Sequence, residues 1–82
     1  MADDTPQLLQ RYVDALFRGL SREDRVTRLD AVVRAEASDL PEELLEIVQL
    51  LPPGRLNRQM LADQLNSAIV GHGWSGTYGT VE

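Results

Sequence analysis

The sequence predicts an all-α protein, a compact bundle of four short helices followed by a C-terminal tail rich in glycine and aromatic residues. Three observations support this fold class. Apolar residues recur at helical spacing in four segments, each segment is bounded by proline, glycine or a capping residue, and four of the six glycines lie in the last twelve positions. The chain of 82 residues suits one small domain, which we place at residues 1–70, with residues 71–82 as a tail or short hairpin.

The first two helices are predicted from their ends and their apolar stripes. Thr5 and Pro6 are typical of an N-cap and a first helical residue, and Gly19 is typical of a helix end. Ser21 predicts the start of the second helix, which we expect to end shortly before Pro41. The apolar stripe that should face the core from this helix consists of Val26, Leu29, Val32, Val33 and Ala37.

The third helix, here called the hub helix, is the centre of the predicted bundle. In residues 40–51 seven of the twelve positions are large and aliphatic, so the apolar side chains wrap around more than one face of the helix. Other elements must therefore cover it from at least two directions. We expect the three companion helices of so short a chain to leave part of this surface uncovered, which predicts association with a second copy or another protein.

The fourth helix follows a strong break in the chain. Pro52, Pro53 and Gly54 end the hub helix, because proline lacks a backbone donor and clashes with the preceding turn. Asn57 then predicts the N-cap of a helix over residues 58–70, which Gly71 or Gly73 ends. The predicted core face of this helix consists of Leu61, Ala62, Leu65, Ala68 and Ile69.

Composition and charge argue against several classes of site. The chain has no Cys and one His, which leaves no ligand set for a zinc site, and we expect neither a metal nor a cofactor. The formal net charge of -5 disfavours nucleic acid as the partner. We find neither a signal segment nor an apolar run long enough to span a membrane, and so expect a soluble, cytoplasmic protein. All eight cationic side chains are Arg, a bias that favours a bacterial origin.

No motif in the sequence predicts a reaction. Gly71, Gly73 and Gly76 match G-x-G-x-x-G, but a dinucleotide-binding loop follows a strand and opens a helix, whereas here a predicted helix precedes the glycines. The acidic residues lie at predicted helix starts or on outward faces, where they complement the helix dipole and favour solubility. We therefore expect no enzymatic activity.

The leading functional hypothesis is a small protein-interaction or regulatory adaptor that acts as a homodimer or binds a larger protein. It depends on the excess apolar surface of the hub helix and on the aromatic residues of the tail, because amphipathic aromatic side chains anchor well in a partner's pocket. The candidate interface residues are Ile47, Leu50, Arg55, Trp74 and Tyr78.

Two other hypotheses remain open. The start of the fourth helix combines basic and amide side chains, as the recognition helix of a helix-turn-helix regulator does. The candidate DNA contacts are Arg55, Asn57, Arg58 and Gln59. Alternatively, the helical part is the recognition leader of a precursor whose C-terminal segment is modified by an enzyme. The candidate targets of that modification are Ser75, Thr77, Thr80 and Glu82.

Overall fold

The computed structural model describes residues 5–82, and 61% of that range is helical. The predicted mostly helical architecture is therefore confirmed, but the described range holds five α-helices and two short strands rather than four helices and a tail. A 3₁₀ helix at Thr5–Gln7 leads into the first α-helix. The elements in order are α1 at Leu8–Leu16, β1 at Val26–Thr27, α2 at Arg28–Ala37, α3 at Glu42–Gln49, β2 at Arg55–Leu56, α4 at Arg58–Gly71 and α5 at Ser75–Tyr78.

The first helix ends close to the predicted position. After Leu16 the chain makes a turn that reaches Gly19, whose φ of +80° lies in the left-handed region that glycine adopts without steric cost. The side chain of Thr5, the predicted N-cap, lies outside the described part of the chain. The helix enters through 3₁₀ geometry at residues 5–7, which is common at helix starts.

The predicted start of the second helix at Ser21 is wrong. The Asp24 carboxylate accepts a hydrogen bond from the Ser21 backbone N–H at 2.8 Å, which closes a local turn instead of a helical one. The helix begins at Arg28, and the preceding residue, Thr27, is its N-cap and forms a capping box with Asp30. The hydroxyl of Thr27 accepts from the Asp30 N–H at 3.0 Å, and the Asp30 carboxylate accepts from the Thr27 N–H at 3.1 Å.

Two equivalent junctions connect the strands to the helices that follow them. The strands are antiparallel, with Val26 opposite Leu56, and both of these residues are buried. Each is followed by a capping residue, Thr27 before α2 and Asn57 before α4, where the Asn57 side chain accepts from a backbone N–H at 2.8 Å. A strand followed directly by a capped helix thus occurs twice, and the antiparallel pairing joins the two junctions.

The core confirms the predicted face of α4 and most of the hub helix. Leu61, Ala62, Leu65 and Ile69 of α4 are buried, and Ala68 is half-buried. The corresponding buried residues of the hub segment are Leu40, Leu44, Ile47, Val48 and Leu51, with Leu45 half-buried against the cluster.

The expectation that part of the hub helix stays uncovered holds only near its end, because the chain itself covers most of that helix. Leu50, which is 64% exposed, is the one large apolar residue of this segment left on the surface. Two features explain why most of the apolar surface of this helix is buried. Helix α2 packs against α3 through a side made of small residues, Ala31 and Ala35, and the C-terminal segment adds Tyr78 and Val81 to the core.

The C-terminal segment is docked, in contrast to the predicted tail or hairpin. The Asn66 side chain of α4 accepts from the Val81 N–H at 2.7 Å and donates to the Val81 carbonyl at 2.8 Å. The Gln10 side chain of α1 makes the same two bonds to Glu82, at 3.0 Å and 3.3 Å. One amide side chain from each of two helices thus satisfies both backbone groups of one residue, which fixes the segment between α1 and α4.

The contrast between Leu44 and Leu50 provides a test of the core. We expect Leu44→Ala to lower the free energy of unfolding by about 2–5 kcal/mol, because Leu44 is fully buried and the substitution leaves a cavity. Leu50→Ala, at the C-cap of the same helix, should change it by less than about 0.5 kcal/mol. Urea unfolding followed by circular dichroism measures both values. Equal effects at the two positions would contradict the assigned orientation of α3.

Docking of the C-terminal segment can be tested at Asn66. We expect Asn66→Ala to lower the free energy of unfolding by about 1–3 kcal/mol, because both polar groups of buried Val81 lose their partner. Ser67→Ala, at the exposed neighbouring position, controls for the change in helix propensity and should leave stability nearly unchanged. Amide hydrogen exchange at Val81 should become faster in the Asn66 variant alone.

Candidate protein interface

The five predicted interface residues occupy different environments. Ile47 is 2% exposed and Tyr78 is also buried, so neither offers side-chain surface to a partner in this conformation. Trp74 is half-buried, whereas Leu50 at the C-cap of α3 and Arg55 of β2 are exposed. Leu50 lines a shallow groove against α4 with Gln64, Ser67 and Ala68.

The aromatic residues near the C-terminus pack on one another. The Trp74 ring is stacked on His72 with 4.4 Å between ring centroids, and it meets Tyr78 edge-on at 6.0 Å. The Tyr78 hydroxyl donates to the Glu43 carboxylate of α3 at 2.5 Å. This hydrogen bond, together with burial of the ring, raises the pKa of Tyr78 above its ordinary value. The aromatic cluster therefore anchors the C-terminal segment to the hub helix.

The side chains at the start of α4, proposed above as DNA contacts, form hydrogen bonds within the chain. Asn57 caps α4, and Gln59 donates to Asp63 at 2.9 Å. Arg58 forms an ion pair with Asp14 of α1 and donates to the Glu82 carbonyl at 3.1 Å. The hydrogen bond from Arg58 holds the pKa of the Asp14 carboxyl below its usual value. The two contacts of Arg58 join α4 to α1 and to the C-terminal segment, and binding to DNA bases would have to compete with all of these hydrogen bonds.

The main exposed apolar surface lies on α2, where the sequence predicted a core face. Leu29 is 70% exposed and Val33, one turn further along the helix, is 56% exposed. Together with Ala37 of α2, Leu16 of α1 and Val26 of β1 they line an open groove of about 490 Å³. We call Leu29, Val33 and Ala37 the outer face of α2.

The outward direction of this face follows from which side of α2 packs inward. Ala31 and Ala35 are fully buried, and at about 100° per residue Val33 lies opposite the midpoint between them. The predicted core stripe of α2 is therefore wrong for Leu29, Val33 and Ala37, while Val26 is buried and Val32 is half-buried. The pattern of large residues gave the correct helical period. It did not show that Ala31 and Ala35, two small residues four positions apart, mark the side of α2 that packs closely against other helices.

Other exposed apolar residues are separated along the chain. Leu20, Leu50, Met60 and Val70 lie on the turn after α1, the end of α3 and two ends of α4. Single exposed aliphatic residues are common on protein surfaces, whereas two large ones stacked along a groove form a continuous patch. The outer face of α2 is therefore the strongest candidate for a binding surface among the described residues.

Two opposite charges lie along one edge of this groove. Asp30 and Arg34 are four residues apart on α2, a spacing that lets side chains meet, yet the described residues show no ion pair between them within 4.0 Å. Instead, one oxygen of the Asp30 carboxylate accepts from the Thr27 N–H at the helix start. The capping box thus directs the carboxylate away from Arg34.

Metal-ligand clusters and membrane-spanning helices are two further features to consider within residues 5–82. That range contains no group of three or more His, Asp or Glu side chains placed to hold a metal ion. The helices it contains are too short or too polar to cross a membrane.

The hydrogen bond between Tyr78 and Glu43 makes a prediction about alkaline stability. Because the pKa of Tyr78 is raised in the folded chain, the unfolded chain loses this proton first, near pH 10.0. The stabilisation is complete below that pH and is lost as pH rises through the raised pKa. We expect Tyr78→Phe to reduce the fall in the free energy of unfolding between pH about 9.5 and about 11.5, measured by urea unfolding. If Tyr78→Phe left this fall in stability unchanged, the hydrogen bond from protonated Tyr78 to Glu43 would be contradicted.

Comparison of the chain with protein-family models, with curated proteins and with solved structures gives no match. A functional assignment therefore has to come from the surface chemistry of the molecule itself.

Proposed function

We propose that this protein is a non-enzymatic protein-interaction module whose contact surface is the outer face of α2. The observation that carries the proposal is the pair Leu29 and Val33, two large aliphatic side chains that are mostly in water although they lie side by side along a groove. Contiguous apolar surface of this kind marks binding sites in soluble proteins.

The energy available at this face suits a reversible complex. Burying a large aliphatic side chain completely contributes about 1.5–3 kcal/mol. The free energy gained by burying two such residues and the groove beneath them has to offset the loss of translational and rotational freedom on association. We therefore expect dissociation constants in the micromolar range rather than an obligate assembly.

The shape of the groove favours a helix as the partner element. It runs along α2, whose ten residues span roughly 15 Å, and the end of α1 forms its other wall. An amphipathic helix of similar length places apolar residues at the spacing needed to contact Leu29, Val33 and Ala37. The charges of Asp30 and Arg34 at the rim then select its orientation.

We propose no reaction for this chain, because its carboxylates have structural roles where their contacts are known. Asp24 closes the turn after α1, Asp30 completes the capping box of α2, and Asp14 holds Arg58. General acid or base catalysis requires such groups to converge on a pocket, whereas each of these three makes a different structural contact on a different element.

Site-specific photo-crosslinking tests the proposed surface. A photoreactive amino acid replaces Val33 in one variant and Val70 in another, each expressed in the cell that naturally makes the protein. Val70 is a matched control, because it is 61% exposed but lies on α4. We expect a defined protein adduct from position 33, either to another protein or to the chain itself, and little from position 70. No adduct from position 33, or the same adducts from both positions, would refute the proposal.

Two surface substitutions test whether the crosslink depends on the outer face of α2. With Leu29→Ser introduced beside the photoreactive residue, the adduct from position 33 should fall at least about tenfold, because about 1.5–3 kcal/mol of apolar burial is lost. Leu50→Ser, at the similarly exposed C-cap of α3, should leave it unchanged.

A further inference from the structure

We infer that the outer face of α2 binds a second copy of the same chain, with the two α2 helices antiparallel. This inference rests on the proposed function of that face and names its partner. It is carried by the arrangement of charges and apolar residues along α2, which matches both its charged edge and its apolar stripe when a second copy runs in the opposite direction.

The two edges of the outer face carry different charges. With about 100° per residue, Asp30 lies about 60° and Arg34 about 100° to one side of Val33, while Glu36 lies about 60° to the other side. In an antiparallel helix pair each edge meets the same edge of the partner helix. Asp30 then faces Arg34 of the partner copy, and Arg34 faces its Asp30. A parallel pair would instead bring this edge to the one that carries Glu36, where Arg34 meets an opposite charge but Asp30 meets a like charge.

The same register also fits the apolar side chains. When Asp30 is level with Arg34 of the partner copy, Leu29 is level with the midpoint between Val33 and Ala37 of that copy. Val33 is level with the midpoint between Leu29 and Val33 of that copy. Each large side chain thus enters a gap in the opposite stripe, as ridges enter grooves in helix packing. The two Glu36 residues lie on the far edge, roughly 12 Å apart along the helix axis.

The contacts within the chain leave the charges able to make these pairs. The capping box uses one oxygen of the Asp30 carboxylate, and a carboxylate accepts at two oxygens. Arg34 is exposed on α2 and forms no ion pair with Asp30 of its own chain within 4.0 Å. Because the planar guanidinium donates in a fixed fork, it can bind the second oxygen from the partner copy.

The contact is small, so the dimer forms only at high concentration. A ten-residue helix and the end of α1 provide less than the about 800 Å² per partner of a standard stable interface. A weak, concentration-dependent dimer is the expected state, and the paired charges set its orientation more than its affinity.

Charge exchange between two variants tests the orientation directly. Sedimentation velocity of the full chain from about 10 µM to about 1 mM should show a concentration-dependent dimer. Arg34→Glu and Asp30→Arg should each weaken self-association at least about fivefold, because each sets like charges opposite one another. An equimolar mixture of the two variants should recover it, since every facing pair is then opposite in sign. Arg55→Glu, at an exposed site on β2, should have no effect.

A single cysteine gives an independent readout, because the chain contains no Cys of its own. Val33→Cys lies near the two-fold axis of the antiparallel pair and should form an inter-chain disulfide on mild oxidation much faster than Val70→Cys. Circular dichroism of every variant checks that helix content is retained. This control is needed for Asp30→Arg, because that substitution also removes half of the capping box.

The outcomes separate this inference from the proposed function. A native chain that remains monomeric to about 1 mM overturns the dimer. Failure of the mixed variants to associate overturns the antiparallel register, and so does equal oxidation of the two cysteine variants. If the native chain stays monomeric while position 33 still crosslinks to a different protein, the inference fails and the proposed function stands. If position 33 captures nothing and the native chain stays monomeric, both fail.

Discussion

The close approach of α2 to α1 and α3 is the contact on which the rest of the structure depends. The side of α2 that faces inward carries Ala31 and Ala35, both fully buried, and the Tyr12 hydroxyl of α1 donates to the Ala31 carbonyl at 2.7 Å. Burial of this hydroxyl raises the pKa of Tyr12. Because small residues occupy the contact, the helix lies near enough to cover the hub helix. The large residues Leu29 and Val33 are consequently turned outward.

The strand pair and its two capping residues place α2 for this contact. Val26 and Leu56 are buried opposite each other, and the Arg28 N–H donates to the Gly54 carbonyl at 3.3 Å, so the start of α2 is tied to the turn before β2. The Thr27 capping box then fixes the Asp30 carboxylate at the helix start. One local motif therefore sets both the direction of α2 and the position of a rim charge beside its outer face.

The C-terminal segment supplements a core that is small for an independent domain. A chain of this length buries a limited share of its surface, and this protein has neither a disulfide nor a described metal site to add stability. The amide side chains of Gln10 and Asn66 hold the last two residues by their backbone groups, which orders Val81 in the core. Arg58 joins the same network through Asp14. The basic side chain of Arg58 at the start of α4 therefore stabilises the fold.

The sequence by itself determined the features that depend on neighbouring residues: the turn at Gly19, the break at residues 52–54, the cap at Asn57 and the buried face of α4. Backbone sterics and capping act within a few positions, so they can be read directly. Only the tertiary structure decided which side of α2 faces the core, that two dipeptides pair as strands, and that the last residues dock between α1 and α4. Each of these is set by contacts between residues far apart in the chain, where the fit of Ala31 and Ala35 against neighbouring helices outweighs the burial of larger side chains. The candidate surface on α2 is a direct consequence of that outcome.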